Sequence, residues 1–499
     1  MALGLYADAG LSTSVQSGLT SLMTREILVN VTPNEIRIAL VDNGILQEIH
    51  IERHVQQGLL GNIYKGRVRR LLPGIQAAFI DIGLERPGFL HIADMQRDTD
   101  STDIRHYLAK GQEVLVQVYK DTLGSKGARL TTQFSIPSRY LVLTPYVKQI
   151  VVSHKITDEA EKERLLNLIT PSAVGGYIFR TAAVGVSAAE IQADQEFLNK
   201  RWIEIMAQSR QVKRGHIVHE EIPLILRILR DLVGDSVERI RVDSKTLVLE
   251  MREFAQRYLT NFAERIEYYY EKQPIFDIYR LDEEIQKAIQ RNVYLKSGGH
   301  VVFDQTEAMT TVDVNTGSYL GQDTLEQTIL KTNLEAAIVI ARQVRLRNLG
   351  GIIIIDFIDM IDSAHKEHLL TVLTTELAKD STKTQISELS SLGLVQMTRK
   401  RTHESLEHIL CVPCSLCHRR GSIKSLETMY YEIFRELKRA EQRYPWSGFL
   451  VMAARDVIAG LLTEESAMIA DLAEQFGKPI KLQEEISYGR EQYEILPVS

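Results

Sequence analysis

Apolar and polar positions alternate along residues 26–51 as EILVNV, IRIALV and LQEIHI, which predicts strands, and Asp42-Asn43-Gly44 supplies a tight hairpin turn between the last two. Short strand-like runs broken by glycine follow at 61–68, 76–82, 88–92 and 113–119. About five short strands within about 75 residues predict a small β-barrel, with an OB-fold as the natural candidate. From 139 to 225 the strand-like runs RYLVLTP, QIVVSHK and GYIFRTA alternate with helical stretches near 157–169 and 187–209. Polar, charged helices dominate 221–293, and 299–356 reads as the most apolar and most strand-like core. An amphipathic helix is predicted around 424–443, followed by a mixed tail. The chain has no internal repeat, Pro/Ser linker or low-complexity tract.

A length of 499 residues suggests about three or four domains. With 44% hydrophobic and 25% charged residues, the chain can fill packed interiors, and wholesale disorder is excluded. Its 59 Lys and Arg against 65 Asp and Glu give a net charge of -6, which excludes a globally basic nucleic-acid binder but leaves room for a local basic track. Residues 464–499 carry eight acids against three bases and should repel polyanions. No apolar run approaches the ~18 residues a membrane span requires; the tightest is 352–355. Residues 1–22 lack the basic and apolar regions of a secretory signal and read as a disordered leader. The three cysteines are too few for a disulfide scaffold, yet Cys411, Cys414 and Cys417 fall within seven positions. That clustering points to metal or thiolate chemistry in a reducing compartment, and so to a cytoplasmic protein.

Candidate chemistry begins at Thr311-Val312-Asp313-Val314-Asn315-Thr316-Gly317. On a strand, Thr311, Asp313 and Asn315 share one face, and a carboxylate beside a carboxamide suits a hard divalent cation. Downstream, four consecutive isoleucines read as a strand buried on both faces, with Asp356 emerging at its C-terminal end, where open α/β sheets place their ligands. Asp313 and Asp356 are therefore the candidate Mg²⁺ site, since Mg²⁺ commonly takes only one or two protein carboxylates. Neither needs a raised pKa, because both must stay ionised to hold metal. The competing reading makes Asp313 a turn cap and pairs Asp356 with an arginine.

Structural zinc wants four N or S ligands, and the chain has a single C-x-x-C knuckle to offer at Cys414 and Cys417. Either Cys411 and His418 complete the set locally, against cramped spacing, or two chains each lend two thiolates to a shared zinc. The barrel region carries Tyr64, Lys65, Arg67, Arg69, Arg70, Phe79 and Phe89, with Lys126 further on. Aromatic faces beside cations are what single-strand binders present; the competing reading puts both phenylalanines in the barrel core. A run beginning Met397-Thr398-Arg399-Lys400-Arg401 opens a window to Lys424 with six bases against two acids, which a solvated face also explains. The P-loop pattern is absent.

Taken together, GNIYKGRVRRLLPGIQAAFIDIG, GGYIFRTAAVG, EAMTTVDVNTG, IARQVRLRNLGGIIIIDFIDM and the cysteine cluster resemble the ribonuclease E/G family. The likeness runs from about Met23 to the C-terminus, without the long arginine-rich half that some members carry. It implies an endoribonuclease that cuts single-stranded, AU-rich RNA to leave 5′-phosphate and 3′-hydroxyl ends. The work it implies is rRNA 5′-end maturation, tRNA processing and mRNA turnover. The family's magnesium aspartates and assisting asparagine match Asp313, Asp356 and Asn315. Its 5′-monophosphate sensor matches Arg180 and Thr181, after Gly175-Gly176, with a backbone contribution near Val142. Its barrel contacts to RNA match Phe79, Phe89 and Lys126, and a basic position after the catalytic strand matches Lys383. Its zinc link, shared between the chains of a homodimer, matches Cys414 and Cys417. The usual C-P-x-C-x-G-x-G is altered here, since Pro413 precedes the first thiolate and Cys411 is left as a substitute ligand.

The resemblance further implies an α+β multidomain fold. Residues 23–57 and 225–288 would form an RNase H-like domain, interrupted by an OB-fold at 58–132 and a sensor domain at 133–224. A DNase I-like catalytic domain at 289–410, a zinc link at 411–421 and a small domain at 422–499 would follow. Two rivals from the motifs alone are a non-catalytic RNA-binding assembly factor and a magnesium-dependent DNA nuclease.

Overall fold

The computed structural model describes residues 25–53, 58–97, 101–121, 127–232, 237–258, 262–317, 325–390, 392–401, 403–417 and 420–498. The leader at 1–22, Lys126 and His418 lie outside them. The chain is mixed α+β and divides into two compact units, Met1–Ile409 and Leu410–Ser499. Among the described residues no helix is long and apolar enough to cross a membrane.

The first sheet of the larger unit orders its strands as Ile266–Tyr268, Val237–Val242, Arg25–Val31, Glu35–Asp42 and Ile45–Arg53. Asn43 (φ 51°) and Gly44 (φ 79°) form the hairpin turn read from Asp42-Asn43-Gly44, both left-handed as a two-residue hairpin of this type requires. Arg25–Val31 runs parallel to Val237–Val242, so the chain leaves this sheet and returns much later. Ile27, Val29 and Ile38 pack there against Ile225, Leu229, Val248 and Met251 of the helices Leu224–Leu232 and Lys245–Tyr258.

Between those visits the chain builds a closed five-stranded barrel from Ile63–Leu72, Ala77–Asp81, Gly88–His91, Arg129–Thr131 and Glu113–Lys120. Ile63–Leu72 also pairs with Glu113–Lys120, which closes the ring, and His216–His219 lies along its outside edge. A second excursion forms a four-stranded sheet, Ile150–Val152, Gly175–Phe179, Leu141–Pro145 and Ile136–Pro137. The helix Ala188–Gln211 covers it, started by a capping box between Ser187 and Glu190. A Cβ on Gly176 would lie 2.0 Å from the Gln149 carbonyl oxygen, so only glycine lets these strands approach.

The last sheet of this unit runs Asn292–Tyr294, His300–Gln305, Met309–Asn315, Gly351–Asp356, Leu394–Arg399, Thr384–Ile386. Two expectations fail here. Residues 299–356 are not uniformly strand-like: the 22-residue helix Leu325–Leu346 sits among them, burying Thr332, Ala336, Ile340 and Val344 at helical spacing. Nor is the isoleucine strand buried on both faces, for Ile353 and Ile355 are in the core while Ile352 is 46% exposed and Ile354 half-buried. The physical reason is that Leu325–Leu346 and Ser363–Leu377 both pack on the Ile353/Ile355 face, which leaves the other face open.

In the smaller unit, helix Leu426–Arg443 packs on the strands Phe449–Ala453, Ile480–Glu484 and Tyr493–Pro497 together with helices Arg455–Thr463 and Ser466–Phe476.

His219, buried beside Arg201, carries an acid sensitivity. Burial first, then the Arg201 charge, lowers its pKa from 6.5 to about 4. Between those values the unfolded chain holds a proton that the native chain refuses, so stability is full above about pH 6.5 and falls as pH drops toward 4. The loss expected from this one site is about 3 kcal/mol. Denaturant melts of the parent against His219→Gln across this range check it; identical acid limbs would remove His219 as the cause.

Candidate active site and nucleic-acid interface

The strands Met309–Asn315 and Gly351–Asp356 run parallel and in register, with Asp313 directly beside Asp356. Val312 and Val314 are buried while Thr311 and Asp313 are exposed, so the alternation read from the sequence holds and the two carboxylates share the open face. Asn315 joins them there, its Nδ2 donating to Asp313 Oδ2 at 2.8 Å. This bond fixes the Asp313 carboxylate and leaves the Asn315 carbonyl oxygen available as a third oxygen donor. Asp356 has no ion-pair partner among the described residues, against the reading that gave it an arginine.

Desolvation first, then the like charges of Asp313 and Asp359, pushes the Asp356 carboxyl above its ordinary value. That departs from the expectation that neither carboxyl is raised. A bound cation reverses such a shift, because it supplies the charge that the pair lacks. Among the described residues no three His, Cys, Asp or Glu side chains gather as metal ligands. Two facing carboxylates plus a carboxamide nonetheless fit Mg²⁺, which keeps several waters.

Lys383 stands elsewhere. The strand after it pairs Thr384 with Arg399, which lies opposite Gly351 at the far end of the strand from Asp356, about 17 Å away at ~3.3 Å per residue. Arg399 likewise leaves the basic window: it is buried, 4% exposed, with Nε on Asp380 Oδ2 at 2.7 Å.

On the barrel, Phe79 and Phe89 are direct cross-strand partners, their rings 6.0 Å apart and edge-to-face. Both are half-buried and absent from the barrel core, which is made of Val68, Ala78, Ile80, Leu90, Val116 and Leu130. Arg67, Arg69 and Arg70 are exposed, and a groove of about 580 Å³ is lined by Arg69, Arg70, Leu71, Phe79, Pro87 and Lys110. Sequence reasoning missed Lys110, which no motif marks. Tyr64, by contrast, is inside the barrel at 6% exposure and offers no face to a base. Lys65 is held by Glu113 at 3.4 Å.

Arg180 follows Gly175–Phe179, on the outward face shared with Ile178 and its partner Val142. Its Nη1 donates to the Ser138 carbonyl at 2.5 Å and its Nη2 pairs with Asp231 Oδ1 at 2.8 Å. Thr181 is exposed and opens the short turn Thr181–Ala183. Asp231 is also gripped by Arg230, which in turn pairs with Glu221 at 2.7 Å. This chain of charges orients the Arg180 guanidinium and leaves its remaining N–H groups for a ligand. Arg230, Asp231 and Glu221 were not legible as a site, because the apolar spacing of Leu224–Leu232 marks only its buried face and Glu221 lies outside that helix.

In the smaller unit, Cys411 and Cys414 are exposed, Cys417 is half-buried, and all three are free thiols. The backbone N–H groups of Cys417 and Leu416, then the Cys417 side chain, lower the Cys414 pKa. Amides aimed at a sulfur are what a thiolate ligand requires.

Against known proteins, residues 135–402 match the model of the "Ribonuclease E/G family". The chain is 47% identical to ribonuclease G of Escherichia coli over 95% of its own length and 100% of that protein. It is 45% identical to ribonuclease G of Haemophilus influenzae over 94% of its length and 99% of that protein. With ribonuclease E of Escherichia coli the identity is 37%, over 82% of this chain and 40% of that longer protein. A family match over more than half of the chain, with relatives this similar along nearly their full length, makes this chain a member of the ribonuclease E/G family.

Proposed function

We propose that this chain is a magnesium-dependent endoribonuclease that cuts single-stranded, AU-rich RNA and prefers 5′-monophosphorylated ends. The observation that carries the reading is the in-register pair Asp313 and Asp356, with Asn315 bonded to Asp313, on the open face of a sheet in a ribonuclease E/G family member. Asp313 and Asp356 would hold Mg²⁺, whose chemistry is to activate water and to stabilise charge on a phosphoryl group. Asn315 keeps the Asp313 carboxylate oriented and turns its own carbonyl toward the same ligand or the phosphate. Phe79 and Phe89 stack unpaired bases while Arg67, Arg69 and Arg70 follow the phosphates, with Lys65 and Lys126 as further contacts. The products carry 5′-phosphate and 3′-hydroxyl ends, and rRNA precursors, tRNA precursors and mRNA are the substrates the family points to.

Arg180 would fork onto a 5′-terminal monophosphate, with Thr181 adding a hydroxyl and Val142 a backbone contact. Two of its nitrogens already donate to Ser138 and Asp231, so the phosphate gains only the remaining N–H groups. Cys414 and Cys417 would bind zinc jointly with the same pair from a second chain, giving a homodimer in a reducing cytoplasm, with Cys411 as the substitute ligand.

Three outcomes are expected. Asp313→Asn/Asp356→Asn should cut a 5′-monophosphorylated AU-rich RNA at least a hundredfold more slowly while binding it within about twofold of the parent; removing one transition-state electrostatic group alone costs about 10²–10³. The parent should also melt higher with Mg²⁺, and the double variant should not; full cutting by the variant would move the chemistry to another centre, and DNA of the same sequence tests the choice of sugar.

Arg180→Ala should slow cleavage of 5′-monophosphorylated RNA by roughly tenfold, the low end for one or two charge-assisted bonds, and leave a circular RNA unaffected. Equal loss on both substrates would sink the sensor assignment.

Cys414→Ser/Cys417→Ser should release zinc, measured by atomic absorption, and shift the sedimenting species from dimer to monomer. Zinc content and mass both unchanged would pass the role to Cys411 and other ligands.

A further inference from the structure

The open face of the catalytic sheet carries two rings that the proposed mechanism leaves unused. Tyr294, on the edge strand, is the direct partner of His300, and His300 is the direct partner of Asn315. Direct partners in antiparallel strands project from the same face, so Tyr294, His300 and Asn315 form one row across the sheet. The neighbouring row on that face is Asn292, Val302, Asp313 and Asp356. Tyr294 is 76% exposed, and its ring centroid lies 6.2 Å from that of half-buried His300 with the planes tilted by 46°.

The platform is held rigidly to the centre. Glu335 of helix Leu325–Leu346 accepts from the backbone N–H groups of Lys296 at 2.5 Å and Ser297 at 3.1 Å, which pins the turn between the two ring-bearing strands. A Cβ on Gly299 would sit 2.6 Å from the Asn315 carbonyl oxygen, and one on Gly317 2.5 Å from that of Gly298, so the turn is packed directly against the end of the Asp313 strand. With strands ~4.8 Å apart and a rise of ~3.3 Å per residue, Tyr294 lies about 12 Å from Asp313. That is the reach of the nucleotides next to a phosphate held at the carboxylates.

We infer that Tyr294, backed by His300, is a stacking subsite for an unpaired nucleobase beside the scissile phosphate, distinct from the aromatic pair on the barrel and favouring a purine. The inference rests on the reading of Asp313 and Asp356 as the cutting centre. An exposed tyrosine gains little from the fold itself, whereas a base laid on it removes both faces from water, and a purine presents the larger face. Exposure also means that its replacement leaves the sheet core intact.

The test uses the full chain and short single-stranded RNAs carrying 2-aminopurine at successive positions around the cleavage site, bound with Ca²⁺ in place of Mg²⁺ to suppress cutting. In the parent, fluorescence should be quenched at a position within about two nucleotides of the cut. Tyr294→Ala should abolish that quench and raise KM roughly tenfold with kcat within twofold, as loss of one stacked base implies. Tyr294→Phe should restore both, and His300→Ala should weaken the quench. Quench and KM unchanged in Tyr294→Ala, or a Tyr294-dependent quench far from the cut, would overturn the subsite. The cutting-centre reading is judged separately by Asp313→Asn/Asp356→Asn, so one can fail without the other.

Discussion

The repulsion between Asp313 and Asp356 is the constraint to which the sheet that carries them answers. Adjacent strands hold the pair about 5 Å apart, where like charges repel by about 1 kcal/mol in water and about 3 kcal/mol at the effective dielectric of a protein surface. The opposite face supplies the compensation. Val312, Val314, Ile353 and Ile355 are buried against Ala336, Ile340, Leu369 and Leu373, and each fully buried aliphatic side chain contributes about 1.5–3 kcal/mol. Register cannot slip to separate the acids, because a shift of one residue would turn these apolar side chains outward. The raised Asp356 carboxyl records its desolvation together with the same repulsion.

What the sequence displayed followed from the period of each element. The Thr311, Asp313, Asn315 face was legible because a half-buried strand alternates strictly, and the Asp42-Asn43-Gly44 turn because left-handed backbone selects those residues. The isoleucine strand was misread because isoleucine suits a half-exposed strand as well as a buried one, so composition hid that Ile352 faces outward. Helix Leu325–Leu346 was missed for a related reason. Half of its buried positions are alanine or threonine and two more are Asn333 and Gln343, which give a weak periodic signal beside a run of β-branched neighbours.

Features that depend on distant partners were illegible by periodicity. The parallel pairing of Arg25–Val31 with Val237–Val242 joins segments far apart in sequence, and only likeness to a family suggested such an interruption. Arg399 reads as one more cation in a basic run until Asp380 is brought beside it, and Tyr64 as one more surface ring until the barrel closes over it. Arg180 stood out by likeness, but the Asp231 and Arg230 that orient it did not, since ion pairing between distant segments leaves no spacing in the chain.

The division of labour follows from charge. A face built around adjacent aspartates repels RNA until a cation is present, and the chain as a whole is net negative at -6. On the proposed reading, affinity comes from elements that do not cut: exposed Arg67, Arg69 and Arg70 with the Phe79–Phe89 edge on the barrel, and the Arg180 cluster beside its four-stranded sheet. On the proposed cutting face, an uncharged group gains affinity without neutralising the carboxylates that would hold metal. Arg291 illustrates the alternative: placed at the edge of that face, its guanidinium is taken by Asp304 at 2.5 and 2.6 Å. An aromatic ring escapes such capture, because it contributes surface rather than charge, and Tyr294 presents an exposed ring on that face.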